Sequence, residues 1–183
     1  MLRGINVGGK NKIQMADLQS LYEKLKFKNV LTYIQSGNVI FTVDKGDSNI
    51  NPAEKIEKAI YAQFGFVVPV ISRSVEEMKS VISVNPFLHK SHIKTEKLHV
   101  TFLSENPARQ KIDGMKNIDY SPDEFFIKGR EVYLHCPGGY GKTKLSNSFF
   151  EKKLGVKTTT RNWNTVATLV DLAIHGEGDR SHG

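Results

Sequence analysis

The spacing of apolar positions changes period several times along the chain, and each change marks an element. From Val30 to Val43 apolar and polar side chains alternate: Val30, Thr32 and Ile34 against Leu31 and Tyr33, then Val39, Phe41 and Val43 opposite Ile40 and Thr42. A period of two predicts a pair of strands. Ser36-Gly37-Asn38 between them predicts a turn, because Gly and Asn tolerate positive φ. Upstream, residues 2–7 read as a short first strand running into the loop 8–12, after which Met15, Leu18, Leu21, Tyr22 and Leu25 recur at helical spacing. Downstream, Asn51 as cap, Pro52 in the first turn and Glu54 three residues after the cap open a second helix, which Gly65 ends. Residues 66–72 alternate as a strand. Ser74-x-x-Glu77 opens a third helix, closed by Asn85-Pro86.

The second half repeats this order. Residues 97–104 form a strand with Leu98, Val100 and Phe102 on one face, and Asn106-Pro107 starts a helix carrying Ala108, Ile112 and Met115. Residues 125–127 and 132–136 flank Lys128-Gly129-Arg130-Glu131 as a second hairpin. A helix over 145–154 stops at Gly155, 156–159 makes a short final strand, and Trp163, Val166, Leu169 and Val170 mark a last amphipathic helix. Matching element order in the two halves predicts an α+β fold: a tandem pair of ferredoxin-like β-α-β-β-α-β units with a C-terminal helix. The expected boundaries are 1–81 for the first unit, 82–96 for a polar junction, and 97–175 for the second unit. Residues 176–183 are apolar-free and glycine-containing, and read as a disordered or cloning-derived tail without a role in function. Two antiparallel sheets with the same strand order are therefore expected, and deleting the tail is expected to change neither stability nor binding.

Composition narrows the function. A chain of 183 residues with 39% hydrophobic content can fill one core or two small ones. No apolar run reaches the length of a membrane span, and residues 1–4 lack signal-peptide features, so a cytoplasmic protein without a membrane partner is expected. The single cysteine, Cys136, sits in an apparent strand and reads as a buried, inert thiol. A net charge of +7 favours acidic partners, phosphate ligands and nucleic acids among them.

Four stretches could carry chemistry. Residues 4–11 contain the spacing G-x-x-x-x-G-K of a phosphate-cradling loop. However, Asn11 stands where a metal-binding hydroxyl belongs, and Ile13-Gln14 separate the lysine from the helix. A flexible Gly8-Gly9-Lys10 loop aimed at an anion is the reading that remains. Residues 136–144 again place a glycine loop between strand and helix with the wrong spacing, as a loop that closes over ligands or simply connects elements. Residues 138–161 hold Lys142, Lys144, Lys152, Lys153, Lys157 and Arg161 against Glu151 alone, either a solvated face or a phosphate-attracting rim. Residues 158–165 lie at the start of the last helix, where Arg161, Asn162, Asn164, Thr165 and free N–H groups could hold an anion, or could simply cap the helix around Trp163. His89 and His92, with no carboxylate or thiolate at ligand spacing, predict no metal site, and neither a catalytic triad nor paired carboxylates are legible. Gln35, beside a turn in an otherwise β-branched and aromatic hairpin, points to a bound group there or to a solvated turn.

The strings LRGINVGGKNKI (2–13), TYIQSGNVIF (32–41) and TTTRNWNTV (158–166) resemble the three signature stretches of a widespread bacterial family known only as a domain of unknown function, number sixteen ninety-seven. The resemblance spans essentially the whole chain. It implies the tandem ferredoxin-like fold, speaks against a nucleotidase, and supplies neither an activity nor a cofactor. Carried over by position, it draws attention to Arg3, Asn6, Gly8, Gly9 and Lys10, to Gln35, Ser36, Gly37 and Asn38, and to Arg161, Asn162, Asn164 and Thr165. Family members carry a few apolar residues before the Leu-Arg-Gly-Ile-Asn string, which here starts at Leu2, so a shortened first strand is expected.

Three functions follow from the sequence: a protein, or a cryptic enzyme, binding a small phosphate-type ligand in a polar, basic cleft, an RNA- or DNA-binding module using sheet aromatics such as Tyr33, Phe41, Phe102 and Phe125, or an interaction protein without chemistry. The first is preferred. No carboxylate occurs within 2–13, 32–41 or 158–166, so these segments are expected to share one anion site. Arg161→Ala is expected to abolish phosphate-type binding while changing stability little.

Overall fold

The computed structural model describes residues 1–44, 51–116 and 118–176. It is a mixed α+β structure with two antiparallel sheets and, among the described residues, six α-helices. The chain divides into two compact units, Met1–Ser72 with the chain from Asp171 onward, and Arg73–Val170. The expected tail falls almost wholly on 177–183, outside the described residues.

In the first unit the alternating run folds as expected, with β1 (Lys28–Tyr33) and β2 (Asn38–Thr42) pairing antiparallel through Leu31↔Ile40, Thr32↔Val39 and Tyr33↔Asn38. Helix α1 (Met15–Lys24) buries Leu18, Leu21 and Tyr22. Helix α2 (Pro52–Phe64) starts on Asn51, whose side chain accepts from Ala53 N at 3.1 Å, and ends on Gly65 at φ 78°, a left-handed stop that favours glycine. Ile56 and Ile60 from α2 join Leu2, Ile5, Ile13, Phe27, Val30 and Val68 in one core.

The expected strands at 2–7 and 66–72 do not form. Only Leu2 bridges Val70, held by Arg3 N to Pro69 O and Ile71 N to Met1 O, each 2.9 Å. Gly4 (φ 70°) and Asn6 (φ 56°) turn the chain out of extended geometry directly after Leu2 and Arg3, so pairing cannot continue. Leu2 N also donates to Gly37 O at 2.8 Å, which ties the start of the chain to the hairpin turn.

In the second unit, α3 (Val75–Ser83) opens with a capping box: Glu77 N donates to Ser74 Oγ at 3.2 Å, and Ser74 N to Glu77 Oε2 at 2.7 Å. Strands β3 (Leu98–Leu103), β4 (Glu124–Lys128), β5 (Glu131–His135) and β6 (Thr158–Asn162) form one antiparallel sheet in the order β4-β5-β3-β6. Helix α5 (Asn147–Leu154) sends Phe150 and Leu154 into a core with Leu103, Val132 and Leu134. On the opposite face Leu98, Val100, Phe102 and Tyr133 are buried as well, so neither face of the central strands is open to solvent.

Three boundaries move. Helix α4 is the short Arg109–Asp113, and its cap position, Ala108, offers no side-chain hydrogen bond. The final strand runs to Asn162 instead of ending at 159, carried by three β-branched threonines and by pairs such as Val100↔Arg161 and Thr101↔Thr160. Arg161 is consequently a strand residue, and α6 (Trp163–His175) begins two positions after it.

Candidate functional site

The best-defined polar site lies in the first unit and is built around Asn6. Its Nδ2 donates to Ile13 O at 2.9 Å and to Gln35 O at 3.0 Å, while its Oδ1 accepts from Ile13 N at 2.9 Å. One side chain thus clasps both ends of the loop between Asn6 and Ile13 and ties that loop to the hairpin turn. Asn11 closes the loop from inside: its Nδ2 reaches Gly4 O at 3.2 Å, and its carbonyl accepts from Asn6 N at 3.2 Å. Asn6 and Asn11 (φ 47°) both sit in the left-handed region that asparagine tolerates better than most side chains.

The hairpin side is equally constrained. Asn38 is fully buried and donates to Tyr33 O at 3.2 Å and Ser36 Oγ at 2.9 Å. Gly37 has φ 78°, and a Cβ there would stand 2.8 Å from Ile5 Cδ1 and from Leu2 Cβ. Glycine is required at this position because the turn lies directly on the start of the chain. The structure therefore ties Asn6, and through it the loop that carries Gly8, Gly9 and Lys10, to Gln35, and packs Leu2 and Ile5, on either side of Arg3, against Gly37 in the turn that Ser36 and Asn38 complete.

Exposed groups complete the surface. Gly8, Gly9, Lys10, Lys12 and Gln35 are exposed. Among the described residues the ammonium groups of Lys10 and Lys12 have no carboxylate partner and the side-chain amide of Gln35 has no hydrogen-bond partner. Two further exposed residues were not singled out by sequence reasoning: Val7 (65% exposed) and Ile34 (49% exposed, φ 50°). Lys12 was likewise missed, although it lies in the same carboxylate-free string.

The remaining candidates lie in the second unit. Arg161 is 8% exposed, and its Nη1 donates to Thr159 Oγ1 and Thr160 O, each at 2.8 Å. Burial pulls the guanidinium pKa down to about 10. Asn162 is the cap of α6, accepting from Thr165 N at 2.8 Å, which commits one helix-start donor. Asn164 is exposed in the first turn, and Thr165 is buried.

Lys142 is exposed on a single 3-10 turn, Tyr140–Lys142. The glycine loop around it is pinned. Tyr140 stacks on His99 with centroids 4.9 Å apart and donates to Thr160 Oγ1 at 3.0 Å, and Thr143 Oγ1 donates to Asp123 Oδ2 at 2.5 Å. Cys136 is buried, and desolvation followed by Asp123 pushes its thiol up to about 11. Of the aromatics considered for base stacking, Phe102 is fully buried, while Tyr33, Phe41 and Phe125 are half-buried.

A cavity of about 380 Å³ in the second unit is lined by Glu77, Lys128, Arg130 and Glu131. Its charges are already spent on one another: Arg130 pairs with Glu77, Arg73 with Glu131 at 2.8 Å, and Lys128 Nζ donates to Val84 O at 2.9 Å. Among the described residues no group of three or more His, Cys, Asp or Glu side chains could hold a metal ion, and no helix is long and apolar enough to cross a membrane.

A family model described as "Protein of unknown function (DUF1697)" matches residues 1–133. The solved structure of the conserved bacterial protein SP0830 from Streptococcus pneumoniae is similar over 94% of this chain and 96% of that chain, with a TM-score of 0.70 and 22% sequence identity. That likeness carries the fold alone. Comparison with curated proteins gives no match.

Proposed function

Because the chain belongs to the DUF1697 family, whose description assigns no activity, we propose from its own geometry that it binds a small phosphate-type anion on the loop-and-turn surface of the first unit. One observation carries the reading: the Asn6 side chain fastens the Gly8-Gly9-Lys10 loop to Gln35 while no carboxylate occurs in either segment. Lysines held near one another and near backbone N–H groups repel unless something negative arrives, and a flexible glycine pair lets the backbone approach that ligand closely. Lys10 and Lys12 supply charge, Gly8 and Gly9 supply close approach, and Arg3, Ser36 and Asn38 shape the base of the site. Arg161 donates within β6 and Asn162 caps α6, which supports a structural role for them.

The tandem ferredoxin-like architecture belongs to the same proposal. The second unit supports it through its antiparallel order β4-β5-β3-β6, in which the third strand of a β-α-β-β-α-β chain sits between the second and the first. The first unit supports it through one hairpin and the Leu2↔Val70 bridge.

Isothermal titration with inorganic phosphate tests the function. The native protein is expected to bind saturably, and the double variant Lys10→Ala/Lys12→Ala to bind at least about tenfold more weakly, roughly 1.4 kcal/mol. No binding by the native protein, or equal affinity in the variant, would overturn the reading.

A further inference from the structure

The residue least at ease in this surface is Ile34. It is β-branched, stands at φ 50°, and is 49% exposed. A branched Cβ in the left-handed region is strained, and so exposed a side chain gains little from burial in return. The same turn uses glycine at position 37, where a Cβ would collide. Glycine or asparagine at 34 would relieve the strain there too. Strain kept at an exposed position is the pattern of a side chain retained for what it touches outside the fold.

Ile34 has a counterpart. The hydrogen bond between Asn6 and the Gln35 carbonyl ties positions 6 and 35 together, so Val7 and Ile34 each sit one residue from that tie. Val7 is 65% exposed. Gln35, next to Ile34 in the chain, is exposed, and its side-chain amide has no hydrogen-bond partner among the described residues. Lys10 and Lys12 lie on the loop that follows Val7. A bare anion has no use for two exposed aliphatic groups and a donor–acceptor amide. A plain sugar phosphate has no flat apolar body to set against two exposed aliphatic side chains. A flat, apolar body with a donor–acceptor edge and an attached phosphate matches all four features, since an amide of this type can make a paired contact with such an edge.

Resting on the phosphate-type reading above, we infer that the ligand is a nucleoside phosphate. Val7 and Ile34 contact the base faces, the Gln35 amide reads the base edge, and Lys10 and Lys12 take the phosphate.

Calorimetric titrations of the full chain with inorganic phosphate, ribose 5-phosphate, and adenosine, guanosine, cytidine and uridine 5′-monophosphates test this. At least one nucleotide is expected to bind tenfold or more tightly than both phosphate and ribose 5-phosphate. Ile34→Asn, which suits the left-handed backbone, is expected to cut that ratio below threefold, and Val7→Ser to lower it in the same direction, with circular dichroism confirming that both variants fold. If phosphate binds but no nucleotide exceeds ribose 5-phosphate, or if both variants keep the full ratio, the nucleotide assignment is wrong while the anion site stands. If neither phosphate nor any nucleotide binds, the anion site itself is wrong and this inference falls with it.

Discussion

Replacing Asn6 by alanine removes the clasp on which the site is built, and the structure sets the size of the effect. Three hydrogen bonds disappear, two involving Ile13 at 2.9 Å each and one involving Gln35 at 3.0 Å. At a net 0.5–1.5 kcal/mol apiece they amount to roughly 2–4 kcal/mol, with the lower half favoured because the Gln35 bond is exposed and water can replace it. Alanine at φ 56° adds about 1 kcal/mol of left-handed strain. The expected total is about 3–4 kcal/mol, or roughly 6–16 °C in Tm for a chain of this length. Asn6→Gly separates the two contributions, since it loses the bonds while tolerating the backbone and should be about 1 kcal/mol milder than alanine. Asn6→Asp keeps the acceptor for Ile13 N but sets a carboxylate against the carbonyls of Ile13 and Gln35, and should be at least as damaging as alanine. Urea unfolding of the three variants measures this directly. An alanine variant within about 0.5 kcal/mol of the native protein, the range of ordinary surface changes, would show that the clasp organises nothing.

Gly37→Ala should destabilise the first unit, because the new Cβ meets Ile5 and Leu2 at 2.8 Å and φ is 78°; a Tm equal to native would contradict the packing. Arg161→Ala should cost about 2–4 kcal/mol, since it empties a buried site and strands the Thr159 hydroxyl and Thr160 carbonyl, and urea unfolding checks it. Stability should begin to fall above about pH 8.5, through the thiol, and continue to fall above about pH 10, where the phenols join it. The Cys136 thiol, raised to about 11, and the buried Tyr22 and Tyr133 phenols, also raised by burial, keep protons in the native state that the unfolded chain gives up. That contribution is complete below the unfolded pKa values and is lost as pH rises toward the folded ones, so an unchanged denaturation midpoint at pH 10 would count against it.

Where structure depends on neighbours in sequence, the chain was readable. The hairpin of β1 and β2, the Asn51 and Ser74 caps and the Gly65 stop each rest on residues within a few positions of one another. The edges of the first unit were not readable, since Gly4 and Asn6 leave extended geometry only because Asn6 finds Ile13 and Gln35, the latter 29 residues away. The burial of Arg161 was unreadable for a related reason. A polar string before a helix looks like a solvated cap, yet three threonines extend β6 through it and Arg161 is buried, which argues for a loss of stability on its removal where the sequence led to little change. The candidate site was half legible: glycines, lysine and Gln35 stood out by polarity, whereas Ile34 read as an ordinary strand residue because alternation says nothing about the sign of φ.

An anion that settles on the Asn6-clasped loop and the hairpin turn must perturb the backbone amides there. An amide-resolved NMR titration of the native protein with inorganic phosphate tests it most directly. Saturable shifts are expected at the backbone amides of Gly8, Gly9, Lys10 and Gln35, diminished in Lys10→Ala/Lys12→Ala. Shifts confined to the lysine-rich α5, at Lys152 and Lys153, or the absence of any saturable shift, would contradict it.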